Sequence, residues 1–204
     1  MMVKYFATFL VLLAFAIPAS AKTLNDTWMS SYTLEANGEY EKAAAVIQPY
    51  LDSGELSEFA TLRYAWLNYL QGNFNDAVRS YKQAMAQNKR SIDAKLGITL
   101  PLMAQQRWRE SMRYLKQTLA EAPLNYTAHT RLMVCEEGLR QWETLEKHAS
   151  TVSAYYPTDA TALVYLARSY AWQGKDLLAK SVYRKVLVRI PAHVEALQFI
   201  KNNP

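Results

Sequence analysis

The chain has 204 residues, half of them hydrophobic, and its 23 Lys and Arg against 18 Asp and Glu give a formal net charge of +5. This mild positive excess is spread along the chain and does not indicate a nucleic-acid partner. The single cysteine, Cys135, cannot form a disulfide within the chain, so packing must stabilise the fold. Its apolar neighbours predict a buried structural thiol rather than a reactive one.

The first 21 residues have the pattern of a secretory signal peptide. Lys4 supplies a positive head, a short apolar run covers residues 6–17, and Ala19-Ser20-Ala21 is a small-residue cleavage site. The run is too short to favour a membrane span, although an uncleaved anchor is the alternative. We therefore expect cleavage after Ala21 and a mature chain, residues 22–204, without a transmembrane segment. Export without disulfides suits a Gram-negative periplasm.

A 34-residue period runs through the rest of the chain. Three residue types each recur in a register of their own: glycines at 38, 72 and 174, prolines at 123, 157 and 191, and aromatics at 40, 74, 108 and 142. A period of this length is typical of stacked helical hairpins. It divides the chain into repeats at residues 24–57, 58–91, 92–125, 126–159 and 160–193, with a short C-terminal helix at 194–202.

Each repeat is predicted to contain two helices around a turn. In the second repeat, apolar residues at helical spacing stand on either side of Gln71-Gly72-Asn73. Gly72 fits a helix C-cap with positive φ, but Gln106 and Arg140 replace this glycine in the third and fourth repeats. One second-helix position is small in four repeats of five, so we expect close helix contact there. It reads Ala43, Ala77, Ser111, Leu145 and Ala179.

The third repeat carries a proline inside its first helix. Pro101 removes one backbone hydrogen bond and crowds the carbonyl four residues earlier, where Gly97 lets the backbone give way. We therefore expect a kink between Asp93 and Ala104, and we weight a tolerated kink above a functional one.

These repeats resemble tetratricopeptide repeats. The fifth repeat matches the family pattern best, through Ala167, Gly174, Ala179, Tyr183 and Pro191. The resemblance implies an all-α fold, a right-handed superhelical solenoid of about five helix-turn-helix repeats plus a short C-terminal helix. It also implies that first helices line a concave face and second helices a convex one.

No constellation of catalytic residues stands out. The histidines His129, His148 and His193 do not have metal-ligand spacing, and the sequence contains no Cys-x-x-Cys, phosphate-binding glycine loop or Gly-x-Ser-x-Gly turn. We therefore expect a protein that is not an enzyme, with no catalytic residue, no metal and no cofactor.

The resemblance places aromatic, apolar and arginine side chains of the first helices on the concave face. Aromatics and Arg are enriched at binding hot spots, which favours a partner-binding groove for an apolar segment with an acidic flank. The alternative is that the aromatics pack between neighbouring first helices. The arginines, being charged, must reach solvent or a partner. The groove set is Trp28, Tyr32, Arg63, Trp66, Tyr69, Leu100, Met103, Arg131, Arg168 and Trp172.

Three functions compete on these grounds. The leading hypothesis is a periplasmic scaffold that binds envelope proteins or peptides through the groove. Such a scaffold would be accessory to an envelope assembly or export system, and one form of this hypothesis places the protein at the periphery of the outer membrane. The second is a glycan- or peptidoglycan-binding module, because Trp and Tyr stack on sugar rings. The third is a self-assembling protein, a homo-oligomer formed through the apolar C-terminal end around Phe199 and Ile200.

Overall fold

A computed structural model describes residues 24–52 and 54–203, and the chain is helical through these ranges, with short connecting turns. The predicted signal peptide lies outside the described residues. The helices are α1 (Leu24–Ala36), α2 (Tyr40–Ile47), α3 (Ser57–Leu70), α4 (Phe74–Gln87), α5 (Ile92–Gly97), α6 (Thr99–Ala104), α7 (Trp108–Glu121), α8 (Tyr126–Gly138), α9 (Trp142–Tyr155), α10 (Thr161–Trp172), α11 (Asp176–Arg189) and α12 (Val194–Asn202).

The helices form two layers. We call α1, α3, α5–α6, α8, α10 and α12 the first-helix layer, and α2, α4, α7, α9 and α11 the second-helix layer. Each helix packs on its neighbours in the chain, and α8 also contacts α10 within the first-helix layer. The buried side chains form successive clusters along the stack rather than one central core. This is the all-α solenoid that the sequence predicts.

The 34-residue period sets the tightest packing positions. The second-helix position predicted to be small is fully buried in all five repeats, at Ala43, Ala77, Ser111, Leu145 and Ala179. A first-helix position is a fully buried alanine from the second repeat to the C-terminal helix, at Ala60, Ala94, Ala128, Ala162 and Ala196, whereas the first repeat has the exposed Asp26 there. Small side chains at these positions let neighbouring helices approach closely, and any enlargement would force the layers apart.

The turns between paired helices share one backbone conformation. Gly38, Gly72 and Gly174 have positive φ, as predicted for Gly72. Gln106 and Arg140 adopt the same left-handed conformation, with φ of 57° and 55°. The period therefore imposes the turn even where the residue is not glycine, at a steric cost that glycine avoids.

The first helix of the third repeat is interrupted, as predicted. It divides into α5 and α6 at Ile98, three residues before Pro101, which is buried. Gly97 lies against the next layer, because a Cβ atom there would stand 2.2 Å from Cε1 of Tyr81. Two residues therefore account for the interruption. Pro101 lacks a backbone N–H donor, and Gly97 leaves space for the buried ring of Tyr81.

The first repeat departs from the pattern of the others. Its second helix, α2, has 8 residues, whereas the other second helices have 14. Pro49 follows closely and lies within a 3₁₀ turn at Gln48–Tyr50. Because proline cannot continue an α-helix, it ends α2 early. The 34-residue period did not reveal this difference, since Pro49 lies outside the register of the other prolines.

Candidate functional site

Arg63 ties α3 to α1 inside the first-helix layer. Its Nε donates to Oγ of Ser31 at 3.0 Å, and its Nη1 donates to Oε2 of Glu35 at 2.7 Å. The ring of Tyr32 covers the guanidinium, with Cζ 3.6 Å from the ring centroid. Arg63 is only 6% exposed. It is therefore a buried link between repeats, which corrects the expectation that it faces an open groove.

Arg131 makes the equivalent tie two repeat periods later. Its Nη1 donates to Oγ1 of Thr99 at 3.0 Å, and Thr99 stands in the register of Ser31. The same nitrogen donates to the backbone carbonyl of Leu96 at 2.6 Å, beside the break between α5 and α6. Burial lowers the pKa of Arg131 from its usual value. Arg131 thus supplies a hydrogen-bond donor to the interrupted helix of the preceding repeat.

Arg168 is held between two carboxylates. Its Nε and Nη2 donate to Glu195 at 2.8 and 2.7 Å, and its Nη1 lies 3.3 Å from both oxygens of Glu137. The hydroxyl of Tyr183 also donates to Glu195, at 2.6 Å. Burial alone would raise the pKa of Glu195, but the hydrogen bonds from Arg168 and Tyr183 hold it below its usual value. The Glu195 hydrogen bond also raises the pKa of Arg168.

All three arginines therefore find their partners within the chain. The sequence predicted that each arginine reaches solvent or a partner, and the groove hypothesis placed that partner in another molecule. The repeat register carried the missing signal, because Ser31 and Thr99 are equivalent positions, as are Glu35 and Glu137. Comparing residues two and three periods apart shows that these positions are equivalent.

Three of the predicted groove aromatics pack within the layer. Trp28 lies edge-on to Phe59, with centroids 4.9 Å apart. Trp66 donates from Nε1 to Oε1 of Glu35 at 2.7 Å and packs on Tyr69. All three are half-buried, which agrees with the alternative that aromatics fill the space between first helices.

Two predicted groove aromatics are largely exposed. Tyr32 is 48% and Trp172 is 67% exposed. Leu100 is half-buried, and half-buried Met103 packs against the core cluster around Leu115. Most residues of the predicted groove set therefore bond or pack within the chain. The two exceptions are the exposed aromatics, which lie near opposite ends of the layer.

The two layers differ in charge. The first helices carry five Lys and Arg against seven Asp and Glu, whereas the second helices carry eleven against seven. The basic excess is spread along the chain, as expected, but it lies mainly on the second-helix layer. The first-helix layer is mildly acidic, which alters the ligand chemistry that it favours.

The buried side chains of His129 and Glu136 and the half-buried side chain of His148 link α8 and α9. Nδ1 of His129 and Nε2 of His148 lie 2.9 Å apart, and Nδ1 of His148 lies 2.9 Å from Oε2 of Glu136. Nε2 of His129 lies 2.8 Å from the carbonyl oxygen of Pro123 and must donate to it. Within the described residues, no group of three His, Cys, Asp or Glu is arranged to hold a metal ion.

The prediction for the single cysteine is confirmed. Cys135 is free and fully buried within a core cluster, and burial raises the pKa of its thiol. A raised pKa reduces the thiolate population that reacts with electrophiles and oxidants, so Cys135 serves packing.

The sequence and the fold were each compared with known proteins, and both comparisons found tetratricopeptide repeats. The sequence profile of the tetratricopeptide repeat matches residues 161–191. MamA from Desulfovibrio magneticus RS-1, from residue 41 to its end, superposes with a TM-score of 0.74 at 14% identity, covering 85% of this chain and 99% of that one. YrrB, a tetratricopeptide-repeat protein with an unusual peptide-binding site, gives 0.72 at 16% identity, with 88% and 93% covered.

A tetratricopeptide-repeat protein from Parabacteroides merdae is also similar, with a TM-score of 0.78 at 12% identity and coverage of 87% of this chain and 71% of that one. No curated protein matches in sequence. At these identities the solved structures define the fold alone. The fifth repeat thus matches the tetratricopeptide repeat in sequence, and the stacked helix pairs have the fold of solved tetratricopeptide-repeat proteins.

Proposed function

We propose that this protein is an exported scaffold of the bacterial envelope that binds segments of other envelope proteins through its first-helix layer. The tetratricopeptide-repeat fold supports a role as a protein–protein interaction scaffold. The observation that carries the proposal is the exposure of Trp172 and Tyr32, which at 67% and 48% are the two most exposed aromatic side chains among the described residues of the first-helix layer. Large exposed aromatics form binding hot spots more readily than other side chains do.

Two further features support this proposal. The similar fold of YrrB carries a peptide-binding site, so a stack of this shape has room for an extended segment.

Export rests on the sequence pattern of residues 1–21 alone. Within the described residues, no helix combines the length and apolar character needed to cross a membrane. If the protein is exported as proposed, the mature form begins at Lys22, which intact-mass measurement of protein purified from the envelope fraction would test.

The binding surface is tested by capture with matched variants. The double variant Tyr32→Ala/Trp172→Ala removes the two exposed aromatics of the first-helix layer. The control Leu177→Ala/Val188→Ala removes two side chains of α11 that are 85% and 81% exposed. Both proteins would be crosslinked in envelope extract, and the captured proteins would be identified by mass spectrometry.

The expected result is one set of partners that the control variant retains and the first-helix variant loses. Capture that depends on Leu177 and Val188 instead would place the binding surface on the second-helix layer and reject the proposal. Reversing the charge of Arg63 or Arg131 is not a suitable test. These residues are internal ties, so such variants would unfold the stack.

Self-association is a second candidate, favoured by one comparison within the chain. Val194 and Leu197 of α12 stand one period after Ala160 and Leu163. The earlier pair is 8% and 7% exposed, whereas Val194 and Leu197 are 65% and 48% exposed. The predicted contact residues Phe199 and Ile200 are themselves half-buried against the preceding repeat. Sedimentation of the wild type and of Val194→Ser/Leu197→Ser should show an oligomer only for the wild type; a wild-type monomer would reject this candidate.

A further inference from the structure

Trp172 occupies a position where other repeats have a smaller side chain. Its equivalents one, two and three periods earlier are Gly138, Ala104 and Leu70. Gly138 admits the ring of Trp108 against the backbone, since a Cβ atom there would lie 2.8 Å from Cε2 of that ring. The corresponding contact in the fifth repeat is between two indole rings, those of Trp142 and Trp172, rather than between a ring and a glycine.

The second indole is displaced toward solvent. Trp142, which stands one period after Trp108, lies parallel to Trp172, with ring centroids 5.3 Å apart and planes 5° apart. Trp142 is half-buried, whereas Trp172 is 67% exposed. Packing therefore explains one face of the Trp172 ring and leaves most of this large apolar side chain in water. A solvent-exposed indole supported from beneath is a preorganised surface for a ligand.

A cleft of about 340 Å³ lies beside this ring, between α10 and α12. Its charged groups are Glu137, Glu195 and Arg168, which together leave one negative charge. Arg168 makes its short hydrogen bonds to Glu195, whereas its contacts to Glu137 are 3.3 Å long. The side chain of Glu137 is 28% exposed, so it retains acceptor capacity toward the cleft. The amide side chains of Gln198 and Asn202 complete the polar lining.

We propose that this cleft binds a lysine or arginine side chain of a partner's extended segment. The cation would lie over the free face of Trp172 and pair with the carboxylate of Glu137, while the two amides would bind the segment's backbone. Aromatic faces and carboxylates each attract cations, and both act together here. The acidic excess of the whole first-helix layer favours the same sign of ligand.

This inference rests on the proposed function and replaces the ligand that sequence analysis favoured, an apolar segment with an acidic flank. That earlier expectation needed free arginines, and Arg168 is already neutralised by two carboxylates. A sugar ring would also stack on an indole. The net negative charge of Glu137, Glu195 and Arg168 favours a cation over a neutral sugar.

The test uses three defined probes and isothermal titration calorimetry. The first is a heptapeptide, acetylated and amidated, in which lysine alternates with serine. The second has glutamate in place of lysine, and the third is an oligomer of N-acetylglucosamine. The proteins are the full chain, Trp172→Ala and Glu137→Gln. The matched controls are Val188→Ala and Glu143→Gln, which alter an exposed apolar and an exposed acidic residue of the second-helix layer.

The lysine peptide should bind the full chain and both controls with equal affinity, and the glutamate peptide should not bind. Trp172→Ala should weaken binding of the lysine peptide about tenfold, and Glu137→Gln about threefold or more. Equal affinity in all five proteins, no binding of the lysine peptide, or binding of the sugar oligomer alone would overturn this inference. The scaffold proposal would survive any of these results if partner capture still depended on Tyr32 and Trp172.

Discussion

At the scale of single residues, the histidine chain between α8 and α9 makes stability depend on pH. Only one proton fits between Nδ1 of His129 and Nε2 of His148, because a second would oppose two N–H groups. Burial lowers the pKa of His129 below its usual 6.5, against the effect of the Pro123 carbonyl. His129 is therefore protonated more readily in the unfolded chain than in the folded one. The stability that neutral His129 contributes is lost as the pH falls below 6.5.

We predict that the melting temperature declines as the pH is lowered from about 7.5 to about 5, above the range in which most carboxylates titrate. His129→Gln should flatten this dependence, because the amide keeps a donor and an acceptor without titrating. His193→Asn is the control, since it replaces the remaining histidine and preserves the cap on α12. If the melting temperature of His129→Gln fell with pH as steeply as that of the wild type, the hydrogen-bonded histidines would not be the source of the pH dependence.

Gln106 and Arg140 test the cost of left-handed turns. Both are exposed and have positive φ, which costs an L-residue about 1 kcal/mol more than glycine. We predict that Gln106→Gly raises the free energy of unfolding by about 0.5–1 kcal/mol in urea titrations, after the entropy of the unfolded chain is included. The reverse change at the equivalent turn, Gly72→Gln, should lower it by a similar amount. A loss of stability in Gln106→Gly would contradict this view of the turn.

At the scale of helices, the contact between α4 and α5 depends on Gly97. A methyl group at this position would overlap the ring of Tyr81, which is 4% exposed and has little space to move. We predict that Gly97→Ala destabilises the fold by about 1–3 kcal/mol, despite the better helix propensity of alanine. Gly138→Ala, whose methyl group would meet Trp108 at 2.8 Å rather than 2.2 Å, should cost less in thermal unfolding. The opposite ranking would show that the α5–α6 break absorbs the added methyl group.

The ties between first helices should dominate the measured electrostatic contribution to stability. Arg63→Met removes the cation paired with half-buried Glu35, which keeps only the Trp66 donor, and the donor to the buried Ser31 hydroxyl, so we predict a loss of about 3 kcal/mol in chemical denaturation. Arg79→Met removes a mostly exposed pair with Asp76 and should change stability by less than about 0.5 kcal/mol. Similar losses in both variants would mean that the tie through Arg63 is worth no more than a surface pair.

The sequence predicted helices and turns better than it predicted which side chains are accessible. Helix pairs, the break near Pro101 and the buried position of Ala77 all follow from spacing along the chain, because local backbone chemistry and the period determine them. The bonding of Arg63 and Arg168 depends on residues about one period away, across a contact between helices that hydrophobic spacing alone does not show. Trp28 and Trp172 were likewise both predicted to line the groove, yet Trp28 is half-buried and Trp172 is exposed.

At the scale of the whole molecule, the two layers have different tasks. The second-helix layer carries the basic excess, while the first-helix layer combines a slight acidic excess with internal ties that hold consecutive repeats in register. Fixing the first helices against one another reduces the conformational entropy that a partner must overcome when it binds across several repeats. The exposed rings of Tyr32 and Trp172 are the anchors that we propose for a partner on this rigid support.

The most direct test of this account is site-specific photo-crosslinking in intact cells. A photoreactive phenylalanine analogue would replace Tyr32, Trp172, Leu177 or Val188, one at a time, and adducts would be detected by their mass. The account predicts partner adducts at Tyr32 and Trp172 and none at Leu177 and Val188. Adducts at the two α11 positions alone would contradict it, because the partner would then bind the second-helix layer.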